Sequence, residues 1–240
     1  MSGIVAATLH APLPELLLDI TGKVAPNLPA LLSAAGWLGT AQPVRVRNTG
    51  IVGALEFTSA LAGARIVLLN TPGAIIGGTS VSVAAVKTAI PVSVDNRGAL
   101  YGAGGDGGAG GNAWVSRGGV VMWAYGGAGG DGQRVQSAGG VATVYARSFG
   151  KAGQSVTNST GRPGGDFGGA WPAYADGGTG GDGSNWGESG YSGGSSSVSG
   201  DYDSAGSQPG YAGTPAGLFI DGNSLVTWIN TGTRLGGVNA

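Results

Sequence analysis

The chain has 240 residues, a formal net charge of −1, 41% hydrophobic residues and 10% charged ones. Near-neutral charge offers no basic patch to displace counterions from nucleic acid, and a weakly charged, apolar-rich composition is unlike the usual disordered chain. Cysteine is absent, so disulfides and thiolate metal sites play no part, while glycine supplies 52 residues, about three times ordinary usage.

The chain opens with MSGIVAATLHAPLPELLLDI, which is apolar but has no basic residue at its start and is interrupted by Pro12 and Pro14. It reads as neither a signal peptide nor a membrane-spanning helix. The LPELLLDI portion is too apolar for a free surface, so it is expected to pack on another protein or on sister subunits. The single histidine, His10, sits here just before these prolines and is more simply structural or exposed than catalytic. In APNLPALLSAAGW, Asn27 is a helix-start residue, Pro29 suits an early helical position and Gly36 is a stop. The pattern predicts one short helix over about Leu28 to Ala35. Residues 1–40 are assigned as an attachment segment.

Residues 41–97 carry the strand-like runs PVRVR, IVLLN, SVSVAAV and PVSVD, bounded by turn residues. The longest basic signal, Arg45-Val46-Arg47, is the polar face of one of them. A small unit recurs: RNTGIVG at Arg47–Gly53, NTPGAIIGG at Asn70–Gly78, DNRGALYGAGG at Asp95–Gly105 and, near the end, NTGTRLGG at Asn230–Gly237. Each is a tight Asn/Asp-Gly turn followed by a short apolar run. One copy alone is an ordinary turn of any β protein; the set suggests stacked β-layers rather than one open sheet.

Ten glycines lie in residues 1–97 and forty-two in 98–240, so a boundary is placed near Gly98. YGAGGDGG from Tyr101 is echoed by YGGAGGDG from Tyr125 and DGGTGGDG from Asp176. Gly102, Gly104 and Gly107 match a dinucleotide fingerprint as a string, but that site needs a helix directly afterwards and GAGGNAWVSRGGVVMW is none. A calcium β-roll needs a large apolar residue at the eighth place of each nonapeptide, where Ser184 and Gln133 stand. A flexible linker should be poor in aromatics, yet Trp114, Trp123, Tyr125, Tyr145, Phe149, Phe167 and others punctuate the runs. An ordered glycine core accounts for both features. Glycine in the extended three-residue helix points its N–H and C=O groups outward in three directions, so bare rods can satisfy each other's backbone. Gly104, Gly107, Gly129 and Gly180 are placed where rods nearly touch, and the aromatic stretches become loops at the rod ends.

LPALLSAAGWLGTAQPVRV, NTPGAIIGG, DNRGALYGAGGDGGAGG and the ending GLFIDGNSLVTWINTGTRLGG, in that order, are similar to a family of tailed-bacteriophage tail-tip and receptor-binding proteins. The matching residues are Ala35, Gly36, Trp37 and Gly39; Gly98, Leu100 and Gly102; and Gly222, Asn223, Thr227, Trp228 and Thr231 to Gly236. The glycine tract resembles the polyglycine-sandwich adhesins of T-even-type phages, with longer interruptions such as Gln133–Arg162, which leave the number of glycine helices open. The resemblance implies a mainly β and irregular fold. It would comprise the attachment segment, the β-repeat region and, over 98–240, a polyglycine-II-like helix bundle with long loops.

It implies, as function, a virion protein at the distal end of the tail, made in the host cytoplasm, that binds a bacterial surface receptor. Pilus, lipopolysaccharide and outer-membrane protein all remain open. Other tail or baseplate proteins are expected to hold its N-terminus, as a homotrimer. The expected contact residues are Trp171, Tyr174, Trp186, Tyr191, Tyr202 and Tyr211, since loop aromatics supply rigid contact area; the competing role for each is packing over the glycine core. No cofactor, metal, nucleic acid or membrane insertion is expected. Catalysis is not expected either: the one carboxylate pair considered, Asp201 and Asp203, more simply keeps a Ser/Gly-rich loop hydrated, although a glycan depolymerase would need two carboxylates. A structural tail-tip spacer is the other alternative.

Overall fold

The computed structural model describes residues 13–40, 42–159 and 172–240. β1 (Leu16–Asp19) starts the first coil of a three-faced β-solenoid. Leu18 and the following Ile20 enter this chain's own core. Leu17, on the other side of the strand, is exposed. Next comes α1 (Leu28–Ala34), within a residue of the expected helix. Asn27 Oδ1 accepts from the Ala30 N–H at 3.1 Å, and Leu28 and Leu32, one turn apart, are buried in the same core.

The Asn-Gly units then set the period. β2 (Val44–Asn48), β3 (Ile51–Gly53) and β4 (Leu55–Phe57) form one coil; β5 (Ile66–Asn70), β6 (Ile75–Gly77) and β7 (Val86–Thr88) form the next. β8 (Val92–Asn96) and β9 (Ala99–Tyr101) begin the fourth. Like faces stack in parallel register: Val46 opposite Leu68, Leu68 opposite Val94, and Val52 opposite Ile76, Ile76 opposite Leu100. Strand alternation sends Val44, Val46, Ile66, Leu68, Val92 and Val94 inward. At the corner the stacked asparagines form a ladder. Asn48 Nδ2 donates to Asn70 Oδ1 at 2.9 Å, and Asn70 Nδ2 to Asn96 Oδ1 at 2.8 Å. Asn96 Nδ2 then donates to the Thr231 carbonyl at 2.7 Å. Three wholly buried polar side chains are thereby paired with each other.

After two of the fourth coil's three faces, at Gly102, the chain leaves the solenoid. It travels through β10 (Ala113–Arg117), β11 (Val120–Ala124), β12 (Arg134–Ala138), β13 (Val141–Tyr145), β14 (Ser155–Asn158), β15 (Ala173–Asp176), β16 (Ser197–Ser199) and β17 (Ser204–Ser207). It returns at Gly217, whose N–H donates to the Ala103 carbonyl at 2.8 Å. β18 (Leu218–Asp221) then supplies the missing third face by pairing with β7. β19 (Val226–Asn230), β20 (Thr233–Leu235) and β21 (Gly237–Asn239) make a fifth coil on β8, β9 and β18. Sequence composition groups 218–240 with the glycine tract; strand pairing joins it to the β-repeats instead. A one-dimensional boundary cannot reveal an insertion whose two ends meet in space.

Between the inserted strands lie six extended stretches without strand assignment: 102–112, 125–133, 146–154, 177–185, 188–196 and 208–217. Their hydrogen bonds repeat every third residue. Gly104, Gly107 and Gly110 donate to Gln133, Gly130 and Gly127; Gly105, Gly108 and Gly111 donate to Glu188, Tyr191 and Gly194. Thr214, Tyr211 and Gln208 donate to Asp106, Ala109 and Asn112, and Ser184, Gly181 and Gly178 donate to Gly105, Gly108 and Gly111. A three-residue period with partners on several sides is the geometry of an extended glycine rod.

Candidate receptor-binding face

Rods placed this way leave no room for side chains between them. A Cβ on Gly104 would meet the Ser184 carbonyl, on Gly107 that of Gly181, on Gly129 that of Gly107 and on Gly180 that of Ala128, each well inside 3.0 Å. Every obstacle is backbone of another rod, so no rotamer change relieves it. Side chains can therefore only point away from the bundle or gather at its two ends, and the ends differ.

The near end is a joint. The hairpin β12–β13 turns at Gly139 and Gly140, both with positive φ, and lies along the second face of the solenoid. Val135 N–H donates to the Gly78 carbonyl at 3.0 Å and Ala142 N–H to the Gly22 carbonyl at 2.7 Å. Val135, Ala142 and Trp186 form a small core with Val24, Ile51 and Tyr101. Arg134 ties the hairpin to two rods through Asp131 at 2.9 Å and Asp106 at 3.2 Å, and its guanidinium lies over the Tyr145 ring.

Trp186 belongs to this joint, where it packs as the competing role named for each aromatic describes. It is 8% exposed and stacks on Tyr101 with ring centroids 5.4 Å apart. Its neighbours Gly-Ser-Asn and Gly-Glu-Ser made it look like a loop tip; the sequence did not say which end of the bundle the loop closes.

The far end is a cap of two small antiparallel sheets. One has strand order β11-β10-β17, the other β14-β15-β16. Ala113, Val115, Ala124, Ala173 and Ala175 fill the space between them, with Val156, Val198 and Ala205 at the margin. Such small side chains let the sheets approach closely, and bulky residues are displaced outward. β11 exposes Val120, Val121, Met122 and Trp123 in succession, and Tyr125 follows. Trp123 tilts against Trp114, 6.1 Å between centroids. Tyr174 on β15 and Tyr202 in the turn before β17 are exposed at the same end.

Of the six aromatics singled out in the sequence, Tyr174 and Tyr202 thus reach the far cap. Tyr191 and Tyr211 lie on rods, at the levels of Gly108 and Ala109, and are exposed on the flank of the bundle. Trp171 falls outside the described residues. The apolar run of β11 is not among those six; its signal in the sequence is four consecutive bulky apolar residues after a Gly-Gly turn.

The carboxylates Asp201 and Asp203 do not face one another across a cleft. Asp203 Oδ2 accepts from the Gly118 N–H at 2.8 Å, and Asp201 Oδ2 lies 3.7 Å from Arg117 Nη2. Among the described residues no group of three or more His, Cys, Asp or Glu could hold a metal ion, and no helix is long and apolar enough to cross a membrane. A cleft of about 790 Å³ does exist, at the solenoid, lined by Asn27, Leu55, Glu56, Lys87 and Leu218 among others. It holds an exposed Glu56–Lys87 ion pair at 3.3 Å.

No curated protein matches the chain. Among solved structures, the gp37–gp38 adhesin tip complex of the long tail fibre of bacteriophage S16 is similar over 92% of this chain and 81% of that one, with 19% identity and a TM-score of 0.41. The family model described as phage tail fibre adhesin Gp38 matches residues 19–239, from the first solenoid strand to the last. The chain belongs to the phage tail fibre adhesin Gp38 family.

Proposed function

We propose that this tail fibre adhesin binds its host receptor with the far cap of the inserted bundle, while the solenoid is the part held by the phage. One observation carries the reading: the bulky exposed side chains Val121, Met122, Trp123 and Tyr202 gather on the cap at the end of the rods away from the solenoid. Exposed apolar and aromatic residues concentrated at one place mark interaction surfaces, and rigid aromatics supply contact area at low entropic cost. The glycine rods hold that face out without demanding anything of the side chains that compose it. The division of labour then runs 13–101 with 218–240 for the base, and 102–217 for recognition.

The base offers its own attachment surface. β19, β20 and β21 are the last strands of their sheets. The end they form exposes Ile229, Leu235 and Val238. Open edges of this kind are templates for further pairing. Another tail protein is the partner that fits them, at the distal end of the fibre. The role is binding rather than catalysis. The receptor is a component of the bacterial surface, a pilus, lipopolysaccharide or outer-membrane protein, and adsorption to strains lacking each one identifies it.

The test uses labelled full-length protein on whole cells of a susceptible strain. Trp123→Ala and Tyr202→Ala should each weaken adsorption at least about tenfold, as central aromatic anchors do, with melting nearly unchanged. Trp186→Ala should do the opposite: a loss of about 3 kcal/mol of stability, typical of truncating a buried aromatic, with adsorption per folded molecule retained. Parental adsorption by both cap variants would end the proposal.

A further inference from the structure

We propose that Asp203 is a positioning residue of the receptor-binding face, locking the Tyr202 turn and the β10–β11 tip into one pre-formed unit. The inference rests on the far cap being that face. It starts from strand register. β17 pairs antiparallel with β10, with Ser204 opposite Ser116, so the turn at residues 200–203 lies beside the hairpin tip at Gly118 and Gly119. The two turns are then bonded to each other directly. The Asp203 N–H donates to the Ser116 carbonyl at 2.8 Å, and the Asp203 carboxylate accepts from the Gly118 N–H at 2.8 Å.

The point of attachment matters. Gly118 and Gly119 have φ of +56° and +76°, the left-handed pair of a two-residue hairpin turn. Gly118 is the first of them, so the carboxylate holds the residue that aims the tip. Beside it, Arg117 is buried and has Asp201 within 3.7 Å. On the turn's other side, Gly200 at φ +89° lies so close to the Pro172 carbonyl that no Cβ fits. Tyr202 is therefore the exposed aromatic of a turn held at Gly200 and Asp203. Val120 and Val121, the first residues of β11 after the tip, are exposed on the other side of β10.

Without these bonds a Gly-Gly tip and a Ser/Gly-rich turn would have to be ordered at the moment of binding, and that ordering weakens affinity. A bond to an ionised carboxylate is stronger than a neutral one, which suits it to hold glycine backbone in place. This assigns the Asp-Tyr-Asp segment a role that neither catalysis nor mere hydration gives it.

The experiment compares Asp203→Ala, Asp203→Asn, Tyr202→Ala and Trp123→Ala in the full chain. The readouts are binding to whole susceptible cells, melting, and hydrogen exchange over residues 116–119. Asp203→Ala should bind about three- to tenfold more weakly, chiefly through faster dissociation. Exchange at 116–119 should rise while melting stays parental. Asp203→Asn keeps an acceptor and should restore both binding and protection. The proposal falls if Asp203→Ala raises exchange yet binds like the parent. It also falls if Asp203→Asn binds as weakly as Asp203→Ala with exchange unchanged, since the carboxylate would then be touching the receptor itself. Weak binding by Trp123→Ala beside parental binding by Asp203→Ala would sink this inference alone. Parental binding by all four variants would sink the far-cap reading with it.

Discussion

The solenoid and the inserted bundle solve one problem in opposite ways. Both must pair nearly every backbone polar group between neighbouring segments. The solenoid does so with strands of period two, whose inward side chains then fill the interior: Leu68, Ile76, Phe57 and Leu100 are fully buried, and Asn48, Asn70 and Asn96 bond up the corner. The bundle does so with rods of period three and has almost no side chains inside. In the first, backbone pairing and side-chain packing are separate contributions, and a lost side chain leaves a cavity. In the second they are the same contribution, and an added side chain forces rods apart.

Four experiments sharpen or break that contrast. The largest effect is expected from replacing residues 104–216 with a two-residue glycine turn, because Ala103 and Gly217 are already hydrogen-bonded neighbours. The product should keep the β circular dichroism of the solenoid and lose adsorption down to background. A product that fails to fold would show that the bundle holds the solenoid together. Next comes Gly129→Val. Overpacking ordinarily costs about 1–3 kcal/mol, and here the obstructing Gly107 carbonyl is backbone, so the loss should exceed roughly 3 kcal/mol. Protection from hydrogen exchange should vanish in the rods before the solenoid. Parental melting would mean the rods are not packed as described.

Asn70→Ala should cost less, about 2–3 kcal/mol. It leaves the buried amide groups of Asn48 and Asn96 each short of a partner. The damage should register in the solenoid, with cap binding per folded molecule unaltered. The smallest effect concerns pH. The Arg97 side chain, hydrogen-bonded to Asp95 at 2.9 Å, holds that carboxyl below its ordinary value, assisted by Asn230 Nδ2 at 2.7 Å. A depressed carboxylate stabilises the fold above its unfolded pKa of about 3.9, and that contribution fades as pH falls through the lower folded value. Melting followed from pH 6 down to pH 2 should therefore drop more steeply in the parent than in Asp95→Asn. Parallel curves would show that this ion pair adds nothing.

The solenoid was largely legible because its turns are local. Asn48-x-Gly50, Asn70-x-x-Gly73 and Asp95-Asn96-x-Gly98 are readable from neighbouring residues alone, and their recurrence implies stacking. α1 was legible for the same reason, through Asn27, Pro29 and Gly36. The glycine runs could be recognised as ordered because aromatics interrupt them. What the sequence withheld was long-range. Nothing near Leu218 says that Ile220 pairs with Val86, and nothing near Trp186 says that its loop faces Tyr101 rather than solvent. Aromatic residue type marked the exposed candidates, but which end of a rod each loop closes depends on how many rods precede it. Tyr202 is legible by residue type alone; the run that holds Trp123 shows four bulky apolar residues after Gly-Gly, but not that its strand faces outward.

The three-residue hydrogen-bond period also limits how the reach of this protein can change. Adding one or two residues to a rod would turn everything beyond them by a third or two-thirds of a revolution, setting donors against the wrong neighbours. Adding three restores every direction and lengthens the rod by about 9 Å, at a rise of about 3.1 Å per residue. Because 102–112 bonds to 125–133, 177–185, 188–196 and 208–217, its partners must grow with it. The height of the cap above the solenoid is thus quantised, and relatives with taller or shorter bundles should differ by multiples of three residues in every rod at once.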